Sequence, residues 1–248
     1  APSSSAPSAP FATPTPRTTT ASATPSPSPD PGTRPLGWGP EQRDQDVAAA
    51  AVAAMSTEEK AGQVLLPFFK GKDVESHAAA IERLHLAGSI IMGDNVPLDP
   101  QGRMDVQGMA AINQRLAAAA GGRPWPGIIA VDQEGGQVAR LGLPLTEWPT
   151  PMSYGAAGSV PLAREAGQGL AAELVPLGFN LDFAPGTDVT IGPGDPTIGA
   201  RSMSADPDAA GSLGVAFSQG MLAAGVLPAV KHFPGHGSVT VDSHHNLP

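Results

Sequence analysis

Residues 127–136 read Gly-Ile-Ile-Ala-Val-Asp-Gln-Glu-Gly-Gly. A short apolar run bounded by turn residues predicts a strand covered on both faces, the pattern of a parallel sheet. The same grammar recurs along the chain. Phe179-Asn180-Leu181-Asp182-Phe183 and Val226-Leu227-Pro228-Ala229-Val230 are two further expected strands, each followed directly by polar and glycine-containing sequence. Upstream, Gly88-Ser89-Ile90-Ile91-Met92 predicts another, and Val64-Leu65-Leu66-Pro67-Phe68-Phe69 predicts a first, buried strand.

Helical signals separate them. Gln42 to Met55 is alanine-rich, and Ser56 with Glu59 predicts a capping box opening a short helix. Val74, Ala78 and Ile81 mark one face of a helix over 74–86. Met109, Ile112 and Leu116 mark a second, stopped by Gly121-Gly122. Leu170, Leu174 and Leu177 mark a third ended by Gly178, and Leu213, Phe217 and Met221 a fourth capped near Gly225. Strand and helix thus alternate about five times, the signature of an α/β fold. Either a (β/α)8 barrel or a doubly wound sheet satisfies this pattern, and in both the sites form at the C-terminal edge of the strands. No Gly-x-Gly-x-x-Gly follows the first strand, which weighs against a dinucleotide-binding fold.

Charge narrows the partners. With 23 acidic against 14 basic residues the net charge is −9, which argues against nucleic acid and against docking on anionic lipid. No apolar run reaches the ~18 residues needed to span a bilayer. The 248 residues contain no cysteine, so no disulfide, thiolate metal site or cysteine nucleophile is available. Residues 1–40 stand apart: proline, serine and threonine fill 25 of these positions, too little apolar content to offset ordering entropy. They predict a disordered linker, of the kind that follows an export signal. The chain starts at Ala1, so a processed N-terminus and a secreted or cell-envelope location are expected.

Three motifs carry the chemistry. Asp132-Gln133-Glu134-Gly135-Gly136, with Arg140 eight positions after Asp132, offers a carboxylate for adjacent sugar hydroxyls, or alternatively a solvated polar turn. Ile198-Gly199-Ala200-Arg201-Ser202 offers a guanidinium for sugar or carboxylate oxygens, or a surface charge. Lys231-His232-Phe233-Pro234-Gly235-His236-Gly237, followed by Asp242-Ser243-His244-His245, concentrates four of the six histidines. An aspartate beside a histidine fixes its tautomer and favours its imidazolium, which suits His244 and Asp242 to acid/base work. The histidines also admit a metal-binding reading, although His-x₃-His-x₇-His-His matches no metal signature, and a structural-loop reading.

These runs resemble glycoside hydrolase family 3, and within it the N-acetyl-β-glucosaminidase branch. The resemblance covers roughly residues 45–248. It rests on the Lys-His-Phe-Pro-Gly-His-Gly run with Asp-Ser-His, on Asp-Gln-Glu-Gly-Gly with its arginine, and on Ser-Thr-Glu-Glu-Lys-Ala-Gly-Gln at 56–63. The family's β-glucosidases lack the Asp-Ser-His loop. Met203 stands where phenylalanine is usual, and Ser238 where aspartate is frequent. The resemblance implies a TIM-type (β/α)8 barrel without metal or other cofactor. It also implies a retaining mechanism on terminal N-acetyl-β-D-glucosamine of peptidoglycan- or chitin-derived fragments. Asp132, Arg140, Arg201, Lys231 and His232 would bind the sugar, with His244 as acid/base and Asp242 as its partner. In the family the nucleophilic aspartate follows the Asp-Ser-His loop by a long stretch, whereas Pro248 comes four residues after His244. Residues 41–248 are therefore expected to be the N-terminal part of the catalytic domain, truncated after about five β/α units and shorter than the ~250 residues typical of a barrel. An open edge of that kind favours marginal stability and self-association. Two alternatives stay open: a sugar-binding protein without catalysis, and a histidine-cluster metal hydrolase.

Overall fold

The computed structural model of the protein describes residues 30–36 and 39–247. Most of the proline-rich tract expected over 1–40 lies outside the described residues. Two compact units are present. In the first, which runs to Ala53, a 3-10 turn at Pro31–Thr33 and helix α1 (Gln42–Ala54) are joined by a Pro35–Glu41 antiparallel bridge. No residue of α1 is buried.

The second unit carries the sheet. Helix α2 (Thr57–Gln63) opens with the expected capping box. Ser56 Oγ accepts the Glu59 N–H, and the Glu59 carboxylate accepts the Ser56 N–H at 2.7 Å. After it come α3 (Val74–Leu84), β1 (Gly88–Ile91), α4 (Val106–Ala119) and β2 (Ile128–Val131). A small hairpin, β3 (Gln133–Gly135) and β4 (Val138–Ala139), and helix α5 (Pro151–Ala157) precede α6 (Val160–Leu174). The chain continues through β5 (Leu181–Asp182), α7 (Pro207–Ala224) and β6 (Leu227–Pro228). The hairpin and α5 escaped the sequence reading.

The parallel sheet has the order β1-β2-β5-β6, with Gly88 opposite Ile128, Ala130 opposite Leu181, and Leu181 opposite Leu227. Neighbours in space are neighbours in chain order, without the reversal that marks a doubly wound sheet. That progression is the barrel type, here a partial barrel with helices outside the strands. Ile91, Ile129 and Val131 of the strands pack with Ile81, Met109, Leu116, Leu170, Leu174, Phe217 and Met221 of the helices, all at most 1% exposed.

One expected strand is overturned. The run 64–69 is not a buried strand: it meets β1 through a single Phe68–Ile90 bridge and the Ile90 N–H to Pro67 carbonyl bond. Val64, Leu65 and Phe68 are 81%, 55% and 51% exposed. Among the described residues no strand flanks its other side, so of its apolar side chains only Phe69 reaches the core, where it stacks on His77 at 4.5 Å. Pro67 also lacks the N–H a ladder requires.

Candidate active site

Strand alternation builds the first part of the site. Asp132 leaves the C-terminal end of β2, and residues two apart share a face, so Asp132 and Glu134 point together while Gln133 points away. The Gln133 amide clamps Leu141, exchanging two 3.0 Å bonds with its backbone. Gly135 and Gly136 turn the hairpin at φ 92° and 59°, and a Cβ on Gly136 would lie 2.3 Å from Thr150. Gln133 then pairs with Ala139, which sets the flanking Asp132 and Arg140 opposite one another; Arg140 Nη2 reaches Asp132 Oδ2 at 3.3 Å.

Three residues beyond β6, Lys231 places Nζ between Asp132 Oδ1 at 2.6 Å and Glu134 Oε1 at 2.5 Å. Arg201 closes a fork on the fully buried Glu134 carboxylate, at 2.9 and 2.7 Å. That arginine ends a 3-10 turn (Gly199–Arg201) which Asp195 shapes from within. The Asp195 carboxylate accepts the Thr197, Ile198 and Gly199 N–H groups at 3.2, 2.9 and 3.1 Å and the Thr190 hydroxyl at 3.0 Å. The Lys231–His232 peptide bond is cis. His232 Nδ1 lies 2.6 Å from Asp188 Oδ2, and its Nε2 lies 3.2 Å from Arg201 Nη2. Arginine only donates, so Nε2 accepts and the ring proton sits on Nδ1, donated to Asp188. Both ring nitrogens are thus engaged, leaving His232 none for a metal.

The charges tune one another. Burial pushes Asp132 up, but Lys231 and Arg140 outweigh it and hold the carboxyl below the usual range. Burial also opposes Asp188, and the hydrogen bonds from His232 and the His236 N–H bring it below the usual range. The Glu134 fork raises Arg201.

The loop beyond carries the histidine–aspartate pair. His244 Nδ1 lies 2.7 Å from Asp242 Oδ1, which also accepts the His244 N–H at 2.9 Å. These bonds from His244 hold Asp242 below the usual carboxylate range. With Nδ1 held, Nε2 is left to face a ligand, and the His244 side chain is 74% exposed. No hydrogen bond among the described residues joins this pair directly to the cluster. The link is indirect: His236 holds Asp188 through its backbone N–H at 2.6 Å and Ser243 through Nε2 at 2.7 Å.

All five residues expected to bind the ligand, Asp132, Arg140, Arg201, Lys231 and His232, therefore meet in one polar cluster at the C-terminal ends of the strands. Beside it opens a cavity of about 420 Å³ lined by Asp188, Lys231, His232, Phe233 and Ser238. The sequence reading missed the shared anchor Glu134 and the His232 partner Asp188. Alternation from Asp132 was the signal available for Glu134; Asp188 had none, since its partner is 44 residues away.

The model of the glycosyl hydrolase family 3 N-terminal domain matches residues 56–248. The chain belongs to glycoside hydrolase family 3. Beta-hexosaminidase LpqI of Mycobacterium tuberculosis is 33% identical over 207 residues, which cover 83% of this chain and 50% of that protein. Beta-hexosaminidase A of Pseudoalteromonas piscicida is 38% identical over 175 residues, 68% of this chain and 28% of that one. Among solved structures, a family 3 beta-N-acetylglucosaminidase from Paenibacillus sp. str. FPU-7 superposes with a TM-score of 0.70 at 35% identity, covering 77% of this chain and 35% of that one. NagZ from Neisseria gonorrhoeae, in complex with N-trifluoroacetyl-D-glucosamine, gives 0.64 at 29% identity, covering 74% and 53%. This family 3 chain thus spans half or less of the length of these two hexosaminidases.

Proposed function

We propose that the chain supplies the sugar-binding and acid/base half of an exo-acting β-N-acetylhexosaminidase. Its substrates would be oligosaccharides or muropeptides that end in N-acetyl-β-D-glucosamine, derived from peptidoglycan or chitin. The supporting observation is the convergence of Asp132, Glu134, Arg140, Arg201, Lys231 and His232 at the strand ends, with a His244–Asp242 pair on the adjoining loop. Hexosaminidase relatives and structural neighbours that include an N-acetylglucosaminidase agree with it.

The clustered carboxylate, ammonium and guanidinium groups hold the ring hydroxyls. His244 donates its Nε2 proton to the glycosidic oxygen as that bond breaks and an aspartate carboxylate bonds to the anomeric carbon. The neutral His244 then takes a proton from water as the water oxygen displaces the carboxylate, releasing the sugar. A positioned group of this kind contributes ~10²–10⁴-fold in rate. The histidine replaces the carboxylic acid of the usual two-carboxylate scheme. The nucleophilic aspartate is proposed to come from sequence following Pro248.

Residues 41–248 are proposed to be the N-terminal part of the catalytic domain of a secreted or envelope-associated enzyme. No described helix is long and apolar enough to cross a membrane. The test is release of p-nitrophenol from its N-acetyl-β-D-glucosaminide and its β-D-glucoside by the protein of the longest natural reading frame, with and without chelator. Preference for the aminosugar, indifferent to chelator, is expected. Loss of activity with chelator would favour a metal hydrolase, and inactivity with retained sugar binding would favour a non-catalytic homologue.

A further inference from the structure

Beneath the cluster lies a carboxyl that these sugar contacts do not use. Asp182 ends β5, between β2 and β6, and is 0% exposed. Its Oδ1 accepts the Gln133 N–H at 2.9 Å, while Oδ2 is buried with no hydrogen-bond partner among the described residues. The charged groups that face it are Lys231, just beyond β6, with Asp132 after β2 and Glu134 in β3. Lys231 is already shared between those two carboxylates. Around the site Asp132, Glu134 and Asp188 match Lys231, Arg140 and Arg201, three charges against three. A fourth carboxylate would be surplus, and a buried, uncompensated carboxylate takes up a proton instead. Burial raises the Asp182 carboxyl well above the usual range against the Gln133 bond and Lys231, and the charges of Asp132 and Glu134 push the same way.

We propose that Asp182 is a positioning residue of the sugar site. As an uncharged acid it pins the Asp132-Gln133-Glu134 turn to β5, and loss of its proton at alkaline pH loosens the Asp132–Lys231–Glu134 arrangement and weakens the ligand. The ligand assignment rests on the hexosaminidase reading. The Gln133 bond fixes the backbone between the two carboxylates that share Lys231, so a displacement there moves both. An ionised Asp182 competes with them for the same ammonium group.

Calorimetric titration of N-acetylglucosamine into the full-length protein, from mildly acidic to alkaline pH, separates the cases. Asp182→Asn keeps the Gln133 acceptor and cannot ionise. It is expected to bind within about threefold of wild type at the acidic end and to hold that affinity, while wild type weakens about tenfold or more toward the alkaline end. Asp182→Ala leaves the Gln133 N–H unpaired and is expected to bind at least about tenfold weaker throughout. An Asn variant that repeats the wild-type alkaline loss, or that fails like Ala, overturns the proposal. Infrared spectra give a reading without ligand: the protonated-carboxyl band of wild type at neutral pH should be missing from Asp182→Asn, and its absence from wild type overturns the proposal directly. Wild type that shows the band yet binds no aminosugar at any pH overturns the hexosaminidase reading and its ligand, and leaves the uncharged acid standing.

Discussion

Glu134 shows how much one carboxylate carries. It is 2% exposed and forms ion pairs with both Arg201 and Lys231. Removing one member of a buried ionic group leaves its partners without compensation, at a cost of about 3–5 kcal/mol. Glu134→Ala is therefore expected to lower stability by that order in urea unfolding and to abolish measurable aminosugar affinity; stability within about 1 kcal/mol of wild type would contradict this. Asp132, Arg140, Arg201, Lys231 and His232 were legible from their motifs because the motifs follow strands, where barrel sites form. Asp188 was not, since no motif marks it and its partner His232 lies 44 residues away, whereas Glu134 had the alternation from Asp132 as its signal.

Elements deliver these side chains, and their packing sets how much change they tolerate. Helices α6 and α7 meet through glycines: a Cβ on Gly167 would lie 2.2 Å from the Phe217 carbonyl oxygen, and one on Gly220 would lie 2.0 Å from that of Arg164. Gly220→Ala must push the helices apart, and a loss of about 1–3 kcal/mol is expected in thermal unfolding. An unchanged Tm would show that the seam yields freely. On the Arg201 loop, Asp195→Ala removes the acceptor for three backbone donors and is expected to weaken aminosugar binding by about tenfold or more. Capping and periodicity made the helices other than the seven-residue α5 legible, down to the Ser56–Glu59 box. The strands of the parallel sheet were legible as apolar runs; the polar β3–β4 hairpin was not, and Val64 to Phe69 misled. A run of apolar residues records what a strand contributes to a sheet and not whether a neighbour stands beside it, so there exposure contradicted the pattern.

Two exposed apolar borders flank the sheet. Val64, Leu65 and Phe68 line one, and Leu227, Val230 and Phe233 the other, with Phe233 99% exposed. The 248-residue chain is expected to self-associate, with sedimentation coefficients that rise with concentration; a single monomeric boundary at all concentrations would contradict this. Acid stability follows from the site. Asp132, Asp188 and Asp195 are all held below their ordinary range, so each binds protons less readily folded than unfolded. Their contribution is present above the unfolded aspartate value of ~3.9 and is lost as pH falls through the folded values. Thermal stability is expected to fall steeply below about pH 4, and a flat Tm across that range would contradict the charge network.

On the proposed hexosaminidase reading, His244, oriented by Asp242, moves the proton at the glycosidic oxygen. The direct measurement is kcat/KM of His244→Ala in the protein of the longest natural reading frame, on two substrates. One, N,N′-diacetylchitobiose, has a poor leaving group that needs protonation; the other, p-nitrophenyl N-acetyl-β-D-glucosaminide, does not. A loss of ~10²–10⁴-fold on the disaccharide, with a much smaller loss on the nitrophenyl glycoside, is the predicted result. Equal losses on both, or none on either, would contradict it.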